Sequence, residues 1–117
     1  MKLINKSKNI VIAEKVKIYS TSLARLKGLM FSKLEDNEAI ILKSSLESIS
    51  LTSIHTFFVF FPIDVVWLNK NLEIVDIRLN VKPFTFLIKP KEKAQYIVEI
   101  KNSKDLNIKL GDKLKII

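Results

Sequence analysis

A mostly β domain is what this chain predicts, and three observations carry the prediction. Residues 73–81 alternate strictly, with Val75, Ile77, Leu79 and Val81 on one side and Ile74, Asp76, Arg78 and Asn80 on the other. Short runs rich in Val, Ile, Phe and Tyr recur along the chain, separated by Asn, Ser, Asp and Lys. Only two Gly and three Pro are present, with no linker, repeat or low-complexity segment. About eight short strands at this spacing fit a single antiparallel β-sandwich or β-barrel with one or two short helices.

The elements follow in order. Ile10–Ile12 and Lys15–Tyr19 read as two strands. Ser20, Thr21 and Ser22 offer N-cap hydroxyls, Leu23, Leu26 and Met30 fall on one helical face, and Gly28 suits a C-cap. Glu35-Asp36-Asn37 is a turn, Ala39–Leu42 a buried strand, and Ser44–Ser53 an irregular, serine-rich stretch. Ile54–Phe61 and Ile63–Leu68 are apolar strands with Pro62 marking the bend between them. Lys70-Asn71 makes a hairpin loop into Glu73–Val81, which Pro83 ends. Phe84–Ile88 and Gln95–Ile100 are strands on either side of the turn at Lys89-Pro90-Lys91. A helical turn at Ser103–Leu106 and the Gly111-Asp112 turn lead to a last strand, Lys113–Ile117.

With 117 residues, 48% of them hydrophobic, the chain forms one domain, 1–117, with its own core. No Cys and a single His exclude disulfides, thiolate metal sites and the usual zinc clusters, and no cofactor is expected. Met1–Ile10 has no apolar stretch of the kind a signal peptide requires. The longest apolar run, Phe57–Leu68, is interrupted by Pro62 and Asp64 and falls short of the roughly 20 residues a membrane span needs. The expected location is cytoplasmic. Many Lys and Ile beside a single Gln point to an AT-rich or thermophilic host. Net charge is +8, but Lys is spread along the chain and only two of the twenty basic residues are Arg. Arg is the better bidentate reader of phosphates and bases, so nucleic-acid binding is expected to be weak and non-specific.

Chemistry concentrates between Ile54 and Asn69, which holds the only His, the only Trp and four of the seven Phe. In a hairpin closed by Lys70-Asn71, Leu68 faces Glu73, Val66 faces Val75 and Asp64 faces Ile77. Asp64 then sits on the core side with Val66, Leu68, Val75 and Ile77, and a buried carboxylate requires a donor. Arg25 is the expected donor, because this chain otherwise uses Lys. His55 lies nine residues before Asp64 and is the only candidate general base of its type. Glu99 alternates with Gln95 and Ile97 and reads as solvated or paired rather than catalytic. Phe57, Phe58, Phe60 and Phe61 place rings on both faces of one segment, so one pair should point outward and meet a second copy or another part of the chain.

Two of these stretches also resemble a known family. Arg25-Leu26-Lys27-Gly28-Leu29-Met30 is similar to the Arg-x-x-Gly-Leu-Met element of the domain of unknown function 192 family, and Pro62-Ile63-Asp64-Val65-Val66-Trp67-Leu68 to its Pro-Leu-Asp strand. Pro83, the strand Ala94–Glu99 and Gly111-Asp112 extend the resemblance over nearly the whole chain. The resemblance implies a compact β-barrel or jelly-roll-like domain and no established activity. Where many members carry Trp-Met-Lys-Asn-Thr, this chain has His55-Thr56-Phe57-Phe58-Val59.

The reading that results is a non-enzymatic module binding a small molecule or peptide through Arg25, His55 and Asp64, as a monomer or homodimer. A hydrolase-like enzyme using His55 and Asp64 is the first alternative, and a weak nucleic-acid binder through diffuse Lys the second.

Overall fold

Two sheets stack face to face in the computed structural model, which describes residues 1–20, 34–56, 59–85, 87–101 and 106–117. The strands are β1 (Leu3–Asn5), β2 (Ile10–Ala13), β3 (Lys15–Tyr19), β4 (Glu38–Ser48), β5 (Ile63–Leu68), β6 (Ile74–Val81), β7 (Ala94–Lys101) and β8 (Leu114–Ile116). The small sheet has the order β2-β1-β8 and the large one β3-β4-β7-β5-β6. Neither closes on itself, so of the two architectures expected the sandwich is the one formed. Pairing is antiparallel throughout except for β3 and β4, which run parallel in a register that sets Val16 beside Ala39 and Ile18 beside Ile41.

Alternation along β5 and β7 divides the core in two. Val66, Leu68, Val98 and Ile100 join Ala39, Ile41 and Leu3, Ala13 and Leu114 of the small sheet, forming the layer between the sheets. Ile63, Val65, Trp67, Ile97, Ile40 and Leu42 point the other way, where Leu34, Ile54, Val59 and Ile88 cover them. That second cover is made of loop segments rather than strands. β5 is therefore buried at every residue, which explains its unbroken apolar run. Trp67 is fully buried, and its indole N–H donates to the Thr52 carbonyl at 2.7 Å.

Several expectations are corrected. β4 continues to Ser48, and a 3-10 turn at Ser50–Thr52 follows, where an irregular stretch was expected. β1 carried no clear signal, being only three residues long. The described residues of 54–61 form no strand: Ile54 makes a single bridge to Ile88, and the Val59 N–H turns back to the Thr56 carbonyl at 3.2 Å, while Phe57 and Phe58 lie outside the described residues. The described residues of 84–88 are likewise outside any strand, and Thr56 holds them. The Thr56 hydroxyl donates to the Lys82 carbonyl at 2.8 Å and accepts from the Thr85 N–H at 2.7 Å. The helix expected over Leu23–Met30, and the turn at Ser103–Leu106 up to residue 105, lie outside the described residues.

The β5–β6 hairpin closes differently from the simple loop. Asn69 Oδ1 accepts from the Asn71 and Glu73 amides at 2.9 and 3.0 Å, and Leu72 takes a positive φ of 64°. Leu68 thus pairs with Ile74, Val66 with Ile77, Val65 with Arg78 and Ile63 with Val81. The two irregularities move Val75 and Val81 to the loop-covered layer, while Ile77 stays with the inter-sheet layer.

At the other end Gly111, at φ +88°, makes the turn into β8 that the Gly-Asp pair predicts. The buried Asp112 beside it is hydrogen-bonded by Asn5 Nδ2 at 2.9 Å and by the Lys109 amide at 3.0 Å. The Asn5 bond, then the Lys109 amide and the Lys8 and Lys109 charges, outweigh burial and hold the Asp112 carboxyl below its ordinary value. A depressed acid contributes stability above its unfolded pKa and loses it as pH falls through the folded value. Asp112→Asn is therefore expected to destabilise the protein at neutral pH, and the gap from wild type should close as thermal melts are taken below pH 3.8. A gap independent of pH would show that packing, not charge, is responsible.

Candidate functional site

The three residues expected to form a site do not share one environment. Arg25, and with it the expected Arg25–Asp64 pair, lies outside the described residues. His55 is half-buried in the segment that covers the large sheet, between Ile54 and the buried Thr56. Asp64 is fully buried on the core side of β5, as its register with the apolar residues predicts. It stands opposite Ile100 of β7, on the inter-sheet face. Its described partner is backbone: the Asn80 N–H donates to Asp64 Oδ1 at 2.8 Å. Asn80 has φ 53° and sits where β6 bulges, two residues opposing one on β5. Asp64 therefore anchors the bulge, which gives this acid a structural task.

Glu99 is the residue that sequence reasoning assigned to the wrong environment. It sits near the middle of β7, opposite Ile40 on β4 and Val65 on β5, and is 5% exposed. Along β7 its neighbours on that face are Ile97 on one side and Lys101 on the other, and the Lys101 ammonium lies 3.8 Å from Asp36 Oδ1. No hydrogen bond or ion pair to its carboxyl occurs among the described residues, and burial alone pushes its pKa up from 4.5 to about 7. Strand register extends this row in both directions. Lys17 lies beyond Ile40 and Arg78 beyond Val65, both exposed. Each is two strand spacings from Glu99, about 10 Å between backbones, and neither forms an ion pair with it. Glu99 is thus a buried acid between two aliphatic neighbours, with a cation further out on either side.

The signal that could have found it was topological. Alternation correctly grouped Gln95, Ile97 and Glu99, but β7 is the central strand of the large sheet, so its second face is covered as well. The other acids behave differently. Asp76 is buried, but its two oxygens accept from the Ile77 and Lys91 amides at 2.8 and 2.9 Å. An open depression of about 590 Å³ at the edge between β3, β4 and β7 is lined by Lys43, Ser44, Gln95 and Tyr96. The Lys43 ammonium lies 5.8 Å from the Tyr96 ring centre, and Gln95 Nε2 donates to the Ser44 carbonyl at 3.2 Å, so these polar groups already serve one another. No cluster of three or more His, Cys, Asp or Glu placed to hold a metal occurs among the described residues, and no helix there is long and apolar enough to cross a membrane.

The fold is thus a small β-sandwich in which one face of the large sheet is closed by the small sheet and the other by loop segments. The chain belongs to the domain of unknown function 192 family, described as "Uncharacterized ACR, COG1430", whose model matches residues 3–116. It is 36% identical over 115 residues to a UPF0127 protein of Pyrococcus horikoshii, covering 97% of this chain and 96% of that one. A UPF0127 protein of Thermococcus sibiricus is 36% identical over 114 residues, covering 96% of this chain and 72% of its own length. Both come from thermophilic archaea. Among solved structures, a protein of unknown function from Novosphingobium aromaticivorans superposes with a TM-score of 0.83 over 98% of this chain and 82% of its own, at 21% identity. That likeness shows the fold.

Proposed function

We propose that the chain is a non-enzymatic binding module for a small molecule or peptide that lays an ammonium or similar donor against Glu99 beneath the loop layer carrying His55. The observation that carries this reading is a carboxyl 5% exposed, walled by Ile40, Val65 and Ile97, with no donor among the described residues. Buried polar groups are nearly always hydrogen-bonded, so a carboxyl with no donor among the described residues is a position where a ligand's donor would be stabilised. An ammonium offsets the cost of burying the charge, and the aliphatic walls accept an apolar body. His55 is the polar group of the covering segment and Arg25 remains an expected ligand-binding residue, while Asp64 holds the Asn80 amide on the opposite face. A hydrolase-like pairing of His55 with Asp64 is less well supported, because Asp64 projects from the opposite face and holds the Asn80 amide.

The test is a thermal-shift series at pH 8 with butylamine, phenethylamine and the dipeptide Gly-Leu, each set against an uncharged analogue: butanol, phenylethanol and N-acetyl-Gly-Leu. A ligand that binds only the native state raises its melting temperature. At least one amine should stabilise the wild type where its analogue does not, and Glu99→Gln should abolish the effect. An amine that stabilises both proteins equally, or a panel with no effect, would overturn the reading.

A further inference from the structure

The outer surface of the loop layer has a charge and ring pattern of its own. Residues 48–63 contain no Asp or Glu, and neither do residues 77–91, which contribute Arg78, Lys82, Lys89 and Lys91. Far apart in sequence, the two stretches are stitched together. The Ile54 and Ile88 backbones exchange hydrogen bonds at 2.9 and 2.8 Å, the Thr56 N–H donates to the Thr85 carbonyl at 3.0 Å, and the Phe84 N–H to the Thr56 carbonyl at 2.8 Å. Arg78 is brought to the same end, its Nη2 3.5 Å from the Lys89 carbonyl. Of the acids that border these stretches in sequence, Asp64 and Asp76 are buried on backbone amides and Glu92 is the first exposed acid past Lys91, while the exposed Asp36 lies against Lys101, which pairs with Ile63.

On this surface two aromatic rings stand in solvent. Phe60 is 63% exposed and Phe84 48%, with centroids 5.6 Å apart in an edge-to-face arrangement. Phe84 adopts φ 59°, a conformation that a bulky side chain rarely takes and that persists only where its surroundings impose it. The Thr56 hydrogen bonds impose it here, so the fold holds a phenylalanine ring outward at a conformational cost. Exposed rings on two stretches that carry cations and no acid are the combination that binds single strands: bases stack on the rings and the cations follow the phosphates.

We propose that the Phe60–Phe84 pair and the cations Arg78, Lys82 and Lys89 form a docking surface for single-stranded nucleic acid. It is a surface separate from the Glu99 site, and it gives the chain's positive charge a localised use. The strand stacks one or two bases on the rings and runs its backbone along the basic side. Binding is selective for single strands over duplex, tolerant of sequence, and sensitive to salt.

The experiment is fluorescence anisotropy with a labelled 15-nucleotide oligo-dT and with a 15-base-pair duplex, at low and physiological salt. The single strand should bind several-fold more tightly than the duplex. Phe60→Ala and Phe84→Gly should each weaken it about fivefold or more, in line with the loss of one stacked base. Glycine is chosen at position 84 because it accepts the positive φ, so the loop is kept while the ring is lost. Lys82→Glu with Lys89→Glu should weaken binding about tenfold more than the same charge change at Lys6 and Lys115, exposed residues on and beside the small sheet. Equal losses from the two pairs, or Phe variants that bind as wild type, would overturn the proposal in favour of general attraction by a basic protein. So would a wild type that sediments as a dimer and becomes monomeric in the Phe variants with oligonucleotide binding unchanged, since a second copy would then be the occupant. Binding to phosphatidylserine vesicles with none to oligo-dT would assign the surface to a membrane instead. The Phe variants leave Glu99 in place, so the amine series on them separates failure here from failure of the small-molecule reading.

Discussion

Glu99→Gln is expected to stabilise the protein by up to about 3 kcal/mol at pH 8 and to remove a pH dependence that the wild type shows. The folded-state pKa is raised from 4.5 to about 7 by burial. Below pH 4.5 the carboxyl is protonated in both states and costs nothing. Between the two values the unfolded chain releases its proton while the folded chain keeps it, so wild-type stability falls as pH rises, and the cost is constant above about pH 7. At about 1.36 kcal/mol per pH unit, that interval corresponds to about 3 kcal/mol. Urea denaturation from pH 4 to pH 9 reads both the decline and its absence in the variant. Parallel curves for the two proteins would mean that the carboxylate is solvated or paired after all.

The second large effect belongs to Asp64. Asp64→Ala leaves the Asn80 amide without its described acceptor and opens a gap beside Ile100 in the inter-sheet layer. An orphaned, part-buried amide costs toward the lower end of about 1–3 kcal/mol and the gap in the core adds to it, so a loss of about 3 kcal/mol is expected. Asp64→Asn keeps an acceptor oxygen and should lose about 1 kcal/mol. The sequence-derived pairing with Arg25 is tested in the same series. If the two are coupled, Arg25→Ala combined with Asp64→Ala costs clearly less than the sum of the singles, because removing one member of a buried pair strands the other. Simple additivity would remove Arg25 as a partner, and an Asp64→Ala protein as stable as wild type would remove the bulge anchor too.

What the residues determined unaided is the β class, the position of most strands and the inward face of Asp64. Ile63–Leu68 was legible to the residue because its apolar run has clear ends: Pro62 before it and Asn69 after it. Family membership was legible for a related reason, since Arg25–Met30 and Pro62–Leu68 are short fixed patterns. The strand-like composition of 54–61 and 84–88 misled because β-formers also fill apolar loop layers, and the deciding contacts are those of the Thr56 hydroxyl to residues about 30 positions away. No local pattern encodes such a partner.

Faces were decided by tertiary structure alone. The clean alternation of 74–81 promised one apolar side. Yet the strand's irregularities send Val75 to the loop-covered layer, Ile77 to the inter-sheet layer and Leu79 into solvent. Side chains alternate with a period of two, so each extra residue inverts all that follows. Glu99 shows the same limit from the other side. Its alternation partners were read correctly, but an outward face is solvated only if nothing lies over it. Along β7 the sequence specified which residues share a face; the stacking of loops over the central strand specified that this face is buried, and that sets Glu99 apart among the described acids.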